Sequence, residues 1–164
     1  MFRRKGFNKY FEMREVVIDT ETTGLSHKTG DRVIEVGCVE LINHVATKNF
    51  LQFYCKVDKK ISESAQKITG ISNNFLNDKR KFSDHCEEFL RFIKNDPLII
   101  HNADFDIGFL NNELYLLNKP LISNPVVDTV SLARKVLNTR VANLIICAED
   151  SRLIYLKGTY TEPY

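Results

Sequence analysis

The sequence predicts an α/β fold on a mixed sheet, with three antiparallel strands, then parallel strands, and helices packed against them. Three observations carry that prediction. Strand-like runs lie close together between residues 15 and 57, and their short links suit an antiparallel meander. Beyond them, helical stripes alternate with short apolar runs, the order that builds parallel connections. The chain has 164 residues, 43% hydrophobic and 27% charged, enough to bury one core and ordinary for a globular domain.

Glu15 to Thr20 (EVVIDT) is a β-branched run and predicts a buried first strand. Leu25 to Arg32, with Ser26, Gly30 and Asp31, reads as a loop. Val33 to Leu41 and Asn49 to Val57 alternate as second and third strands. Ser62 to Ile68 predicts a short helix ended by Gly70. Ser83 or Asp84 then caps a helix whose Cys86, Phe89, Leu90 and Ile93 recur at helical spacing, and Asn95, Asp96 and Pro97 stop it. Leu98 to His101 is a fully apolar fourth strand. Asp104 is expected to cap the next helix, with Ile107, Phe109, Leu110, Leu114 and Leu117 on its buried side. Val126 to Asp128 predicts a fifth strand leading into a helix over Thr129 to Leu137, with Asp128 as that helix's cap. Phe105 and Phe109 are expected in the core.

The net charge of +2 neither demands nor excludes a nucleic-acid partner. Cys38, Cys55, Cys86 and Cys147 form no CxxC pair, so reduced thiols in a cytoplasmic protein are expected. No stretch approaches the roughly 20 apolar residues of a membrane span. Residues 1–13 carry Arg3, Arg4, Lys5 and Lys9 without an apolar run behind them, and read as a solvated basic extension rather than a secretory signal. Met13 offers a second start.

The chemistry concentrates in Asp19-Thr20-Glu21-Thr22-Thr23-Gly24 at the end of the first strand. Residues two apart on a strand project to one side, so Asp19 and Glu21 rise together. Such a pair repels itself unless a proton or cation intervenes, and hard carboxylate oxygens suit Mg²⁺ or Mn²⁺. Alone, it would be a common acidic strand end. But His101-Asn102-Ala103-Asp104-Phe105-Asp106 puts another carboxylate at a strand-to-helix junction. If the first and fourth strands are neighbours, Asp106 can face Asp19 and Glu21. Three carboxylates there could hold two divalent ions around a phosphodiester.

These segments, with Val33-Ile34-Glu35-Val36-Gly37, Ile68-Thr69-Gly70-Ile71 and Asp128-Thr129 through Lys135, resemble successive motifs of the DEDD exonucleases. Within that family they look most like the proofreading epsilon subunits of bacterial DNA polymerase III. The resemblance covers roughly residues 14–143. It implies a ribonuclease H-like fold and two-metal removal of 3′-terminal nucleotides from DNA. It also implies Asp19, Glu21 and Asp106 as catalytic metal ligands, with Thr22, Thr69, His101 and Asn102 on the substrate side. The implied partners are a DNA 3′ end, single-stranded or frayed, and the polymerase III catalytic subunit. The alternatives are a related exoribonuclease or a non-catalytic binding and docking remnant.

The domain is expected over 14–146, and 147–164 read as an atypical tail. The family's last motif supplies a general-base histidine and then a ligating aspartate. Here the histidines are His27, His44, His85 and His101, and none follows Asp106. Codons chosen for Cys147 to Tyr164 spell, in the adjacent frame, CRRFKIDLSKRNIHGAL, close to that motif. The expectation is a frameshift near Leu144 to Cys147, with the C-terminal helix missing and activity impaired.

Overall fold

The computed structural model describes residues 12–137. The basic extension up to residue 11, and the tail with Cys147, lie outside these residues. β1 (Arg14–Thr22), β2 (Val33–Ile42) and β3 (Val45–Tyr54) form the expected meander, with both pairings antiparallel. β4 (Leu98–Ile100) joins β1 in parallel, β5 (Val126–Asp128) joins β4 in parallel, and the order is β3-β2-β1-β4-β5. The first and fourth strands are therefore neighbours, the condition on which a shared carboxylate site depends.

β3 begins earlier than its alternation predicts because Asn43 and His44 both take positive φ and close a two-residue turn. α1 (Glu63–Thr69) matches its prediction. The Ser62 hydroxyl accepts the Ala65 N–H, and Gly70 ends the helix in the left-handed region at φ 72°. The sequence did not reveal α2 (Asn73–Leu76), one turn with Ser72 as its cap, or the 3-10 turn His27–Thr29.

α3 (Phe82–Ile93) and α4 (Ala103–Leu116) pack on one sheet face. Phe82, Cys86, Phe89, Ile93, Phe109, Leu110 and Leu114 cover Val16, Ile18, Val36, Cys38, Leu98 and Ile100. Two cap assignments need correction. Lys81, not Ser83 or Asp84, is the residue before α3, and Asp84 accepts its N–H from inside the first turn at 3.1 Å. Asp104 is exposed in the first turn of α4 and caps nothing; the cap position belongs to Asn102, at φ 64°. Asp128 instead fastens this corner. Its Oδ1 accepts N–H groups of both Asn102 and Val130 at 3.0 Å, which ties the start of α4 to α5 (Thr129–Leu137).

Phe109 is core as expected, and Phe105 packs half-buried against it. Cys38, Cys55 and Cys86 are buried free thiols. Among the described residues, no helix is long and apolar enough to cross a membrane.

Candidate active site

β1 carries the site because its pleat sorts side chains onto two faces. Val16, Ile18, Thr20 and Thr22 alternate with Glu15, Val17, Asp19 and Glu21. The first set enters the core under α4, while Asp19 and Glu21 rise from the opposite face. Asp106 approaches from α4, where it is buried. The Thr20 hydroxyl, inward-facing and buried, donates to Asp106 Oδ1 at 2.6 Å and so links the helix carboxylate to the strand between Asp19 and Glu21.

All three carboxyls are raised, and burial is the largest cause for each. Burial pushes the Asp106 carboxyl up to about 6; the Thr20 hydrogen bond opposes this, and the Asp19 charge adds to it. Asp19 reaches solvent, yet the protein around it displaces enough water to raise its carboxyl, and Glu35 raises it further. Glu21 is raised by burial and then by Asp19, Glu35 and Asp106. Glu35 was missed in the sequence because it looks like an ordinary polar position of β2. The register sets it directly opposite Glu21.

Unneutralised, mutually repelling oxygen donors suit a hard divalent cation, which would relieve each of these raised carboxyls. Among the described residues, no three such side chains are gathered into a ligating cluster.

The expected substrate-side residues separate. His101 sits at the end of β4 with Nδ1 held 2.9 Å from the Thr129 hydroxyl, and it acts on Asp19 by lowering its carboxyl. Asn102 adjoins it and is exposed. The Thr22 side chain turns inward, its hydroxyl donating to the Gly24 carbonyl at 2.6 Å. Thr69 ends α1, and its hydroxyl accepts the Ile71 N–H at 3.1 Å; no hydrogen bond joins it to the carboxylates.

The loop after β1 is held by Asp31. Its carboxylate accepts the Thr23 hydroxyl and the Ser26 N–H, each at 3.1 Å, and pairs with Lys59 at 2.6 Å. Gly24 passes so close that a Cβ there would sit 2.5 Å from Asp31 Oδ2.

The fold is that of the ribonuclease H-like exonucleases. It superposes on exonuclease X in complex with 5′ overhanging duplex DNA at a TM-score of 0.70 and 22% identity, covering 92% of this chain and 78% of that one. The zinc ion bound form of an E. coli exonuclease I–ssDNA complex gives 0.70 at 18% identity, over 79% of this chain and 30% of that one. At such identities the shared property is the fold.

The chain belongs to the exonuclease family, whose model matches residues 16–151. It is 44% identical over 126 residues to the DNA polymerase III subunit epsilon of Rickettsia prowazekii, covering 74% of this chain and 55% of that protein. The same subunit of Salmonella typhimurium is 42% identical over 130 residues, covering 74% and 54%. The chain thus spans about half the length of the curated relatives it matches. Exonucleases of this family are metal-dependent.

Proposed function

We propose that this chain is a 3′→5′ exonuclease domain of the DNA polymerase III epsilon type, hydrolysing the terminal phosphodiester at a DNA 3′ end for proofreading. The observation that carries the reading is the group Asp19, Glu21 and Asp106 near the junction of β1 and α4: burial raises all three carboxyls, the Asp19 charge adds to the other two, and Thr20 ties Asp106 to the strand between Asp19 and Glu21.

In this reading Asp19, Glu21 and Asp106 would draw together to hold two Mg²⁺ or Mn²⁺ ions, since they are not gathered into a ligating cluster here. Bound there, the ions would supply positive charge to the attacking and leaving oxygens of the phosphodiester. The chain's own residues set the geometry. Thr20 fixes one oxygen of Asp106, the pleat of β1 keeps Asp19 and Glu21 parallel, and Thr129 orients the His101 ring beside Asp19. In this reading Thr69, His101 and Asn102 lie on the substrate side, and Thr22, whose side chain turns inward, would meet the terminal nucleotide through its backbone. The partner is a polymerase catalytic subunit, and the setting is the cytoplasm.

The final 147–164 segment belongs to the proposal too. It reads as an out-of-frame tail. The coding DNA decides this. In the adjacent frame it is expected to encode CRRFKIDLSKRNIHGAL, and any other peptide there removes the frameshift.

A second reading is a non-catalytic DNA-binding remnant that keeps the fold. An end-labelled single-stranded DNA incubated with Mg²⁺ or Mn²⁺ separates the two. Slow release of 3′ mononucleotides, lost in Asp19→Ala, supports the exonuclease. Binding without release at any ion concentration leaves the remnant. A matched RNA oligonucleotide in the same assay tests the sugar preference.

A further inference from the structure

The sheet face that carries Asp19 and Glu21 continues beyond them. Glu21, Glu35 and Tyr54 stand directly opposite one another across β1, β2 and β3, and Asp19, Gly37 and Gln52 form the adjacent row. Directly opposed residues rise from the same face, so both rows belong to one surface. Two strand spacings, about 10 Å, separate the carboxylates on β1 from Gln52 and Tyr54 on β3.

Gly37 interrupts the second row, and neither backbone nor packing demands glycine there. Its φ is not positive, and a Cβ would meet only the Asp19 carbonyl, at 4.0 Å. The register shifts fall elsewhere, at Glu21/Thr22 and Val39/Leu41. A glycine inside a strand with no bulge and no clash leaves the sheet face open to close approach by a ligand.

At the far side of this open strip stands an aromatic corner. Tyr54 and Phe75 meet edge to face, with centroids 4.9 Å apart at 89°. Lys79 Nζ lies 4.1 Å from the Phe75 centroid and, among the described residues, is in no salt bridge with a carboxylate. Gln52 Nε2 donates to Glu35 Oε1 at 2.7 Å and to the Tyr54 hydroxyl at 3.3 Å, which steadies the ring between strip and corner. Phe75 nevertheless keeps 44% of its surface exposed, so this aromatic ring is not consumed by packing.

We propose that the strip over Gly37 and Gln52, ending at Tyr54, Phe75 and Lys79, is a binding track for single-stranded DNA that carries the nucleotides just upstream of the 3′ terminus. A base stacks on Phe75, and the Lys79 ammonium meets a phosphate. Exposed aromatics beside a cation are the usual means of holding single strands without reading their sequence. The track rests on the exonuclease function proposed above, because it gives direction to a strand whose end lies at Asp19 and Glu21.

The test is the affinity of the full chain for 5′-fluorescein octathymidylate, followed by anisotropy in EDTA so that the ends stay intact. Phe75→Leu is expected to weaken binding about five- to thirtyfold, in the lower part of the range for losing one base stack. Lys79→Gln is expected to flatten the dependence of log Kd on log salt by about one. Gly37→Val, which fills the strip with a good strand former, is expected to weaken binding while leaving the thermal melt unchanged. Each loss should shrink for a dithymidylate, which is too short to reach the corner. If Phe75→Leu and Gly37→Val both bind octathymidylate within about twofold of wild type, the track is overturned and the exonuclease function stands. If the wild-type chain neither binds octathymidylate nor releases nucleotides with metal, the exonuclease function itself falls.

Discussion

Helix α4 buries two carboxylates seven residues apart, about two turns of helix, and the fold treats them in opposite ways. Glu113 is 1% exposed and fully answered. Its oxygens accept from Arg32 Nε at 2.7 Å and Nη2 at 2.6 Å, and the Val33 N–H adds a third contact at 3.3 Å. Asp106 is 3% exposed, and no basic group answers it. It has one hydroxyl donor; burial, with the Asp19 charge adding to it, pushes its carboxyl up to about 6. A buried charge that is paired belongs to the scaffold. One left among like charges holds unspent electrostatic energy, and a functional site is where such an arrangement is kept.

The comparison breaks most visibly at Arg32. Arg32→Met would leave Glu113 buried without its partner, a situation that costs about 3–5 kcal/mol when the pair is fully buried. With the Arg32 side chain 33% exposed, solvent screens part of this, and a loss of about 2–3 kcal/mol in urea denaturation at pH 7 is expected. A loss below about 0.5 kcal/mol would show that the pair is not structural.

Asp106→Asn is expected to act in the other direction. In EDTA it removes a charge that burial and Asp19 both disfavour, while keeping an acceptor for Thr20. It should stabilise the fold by about 1–2 kcal/mol at pH 7 and abolish metal-dependent nucleotide release. The pH dependence has a definite sign. The folded-state carboxyl titrates at about 6, above its ordinary 3.8, so the stability it contributes is complete below the lower value. That contribution is lost as pH rises through the higher one. Metal-free wild type should therefore weaken between these limits, and Asp106→Asn should show a flatter profile. Identical profiles for the two proteins would remove Asp106 as the source.

How much of this could be read from the sequence follows from how local each feature is. Asp19 and Glu21 were legible because a strand's period of two puts them together within three residues. Asp106 was legible only on condition that β1 and β4 are neighbours, which their pairing meets. The Arg32–Glu113 pair joins residues 81 apart, and no local pattern announces it. Glu35 was hidden for a related reason: its proximity to Glu21 is a matter of cross-strand register. Asp104 was misread because Asn102 starts α4 from a left-handed conformation, which shifts the first turn past the residue whose chemistry suits a cap. α2 escaped because a single turn rich in asparagine carries no helical stripe.

The smallest effect that still sharpens the contrast lies at Thr20. Thr20→Val keeps the side chain's shape against the core and deletes only the hydroxyl that Asp106 Oδ1 accepts at 2.6 Å. That hydrogen bond lowers the Asp106 carboxyl against the pull of burial, so its loss should push the titration further above about 6. At pH 7 the expected cost is about 1 kcal/mol, less than a full charged hydrogen bond because part of the carboxyl can then hold its proton. Near pH 5, where most Asp106 carboxyls carry a proton in either protein, the difference should narrow. Urea denaturation of both proteins in EDTA at the two pH values measures this directly. A cost that stays constant with pH would mean that Thr20 serves packing alone, and the link between strand and helix carboxylates would then rest on backbone position.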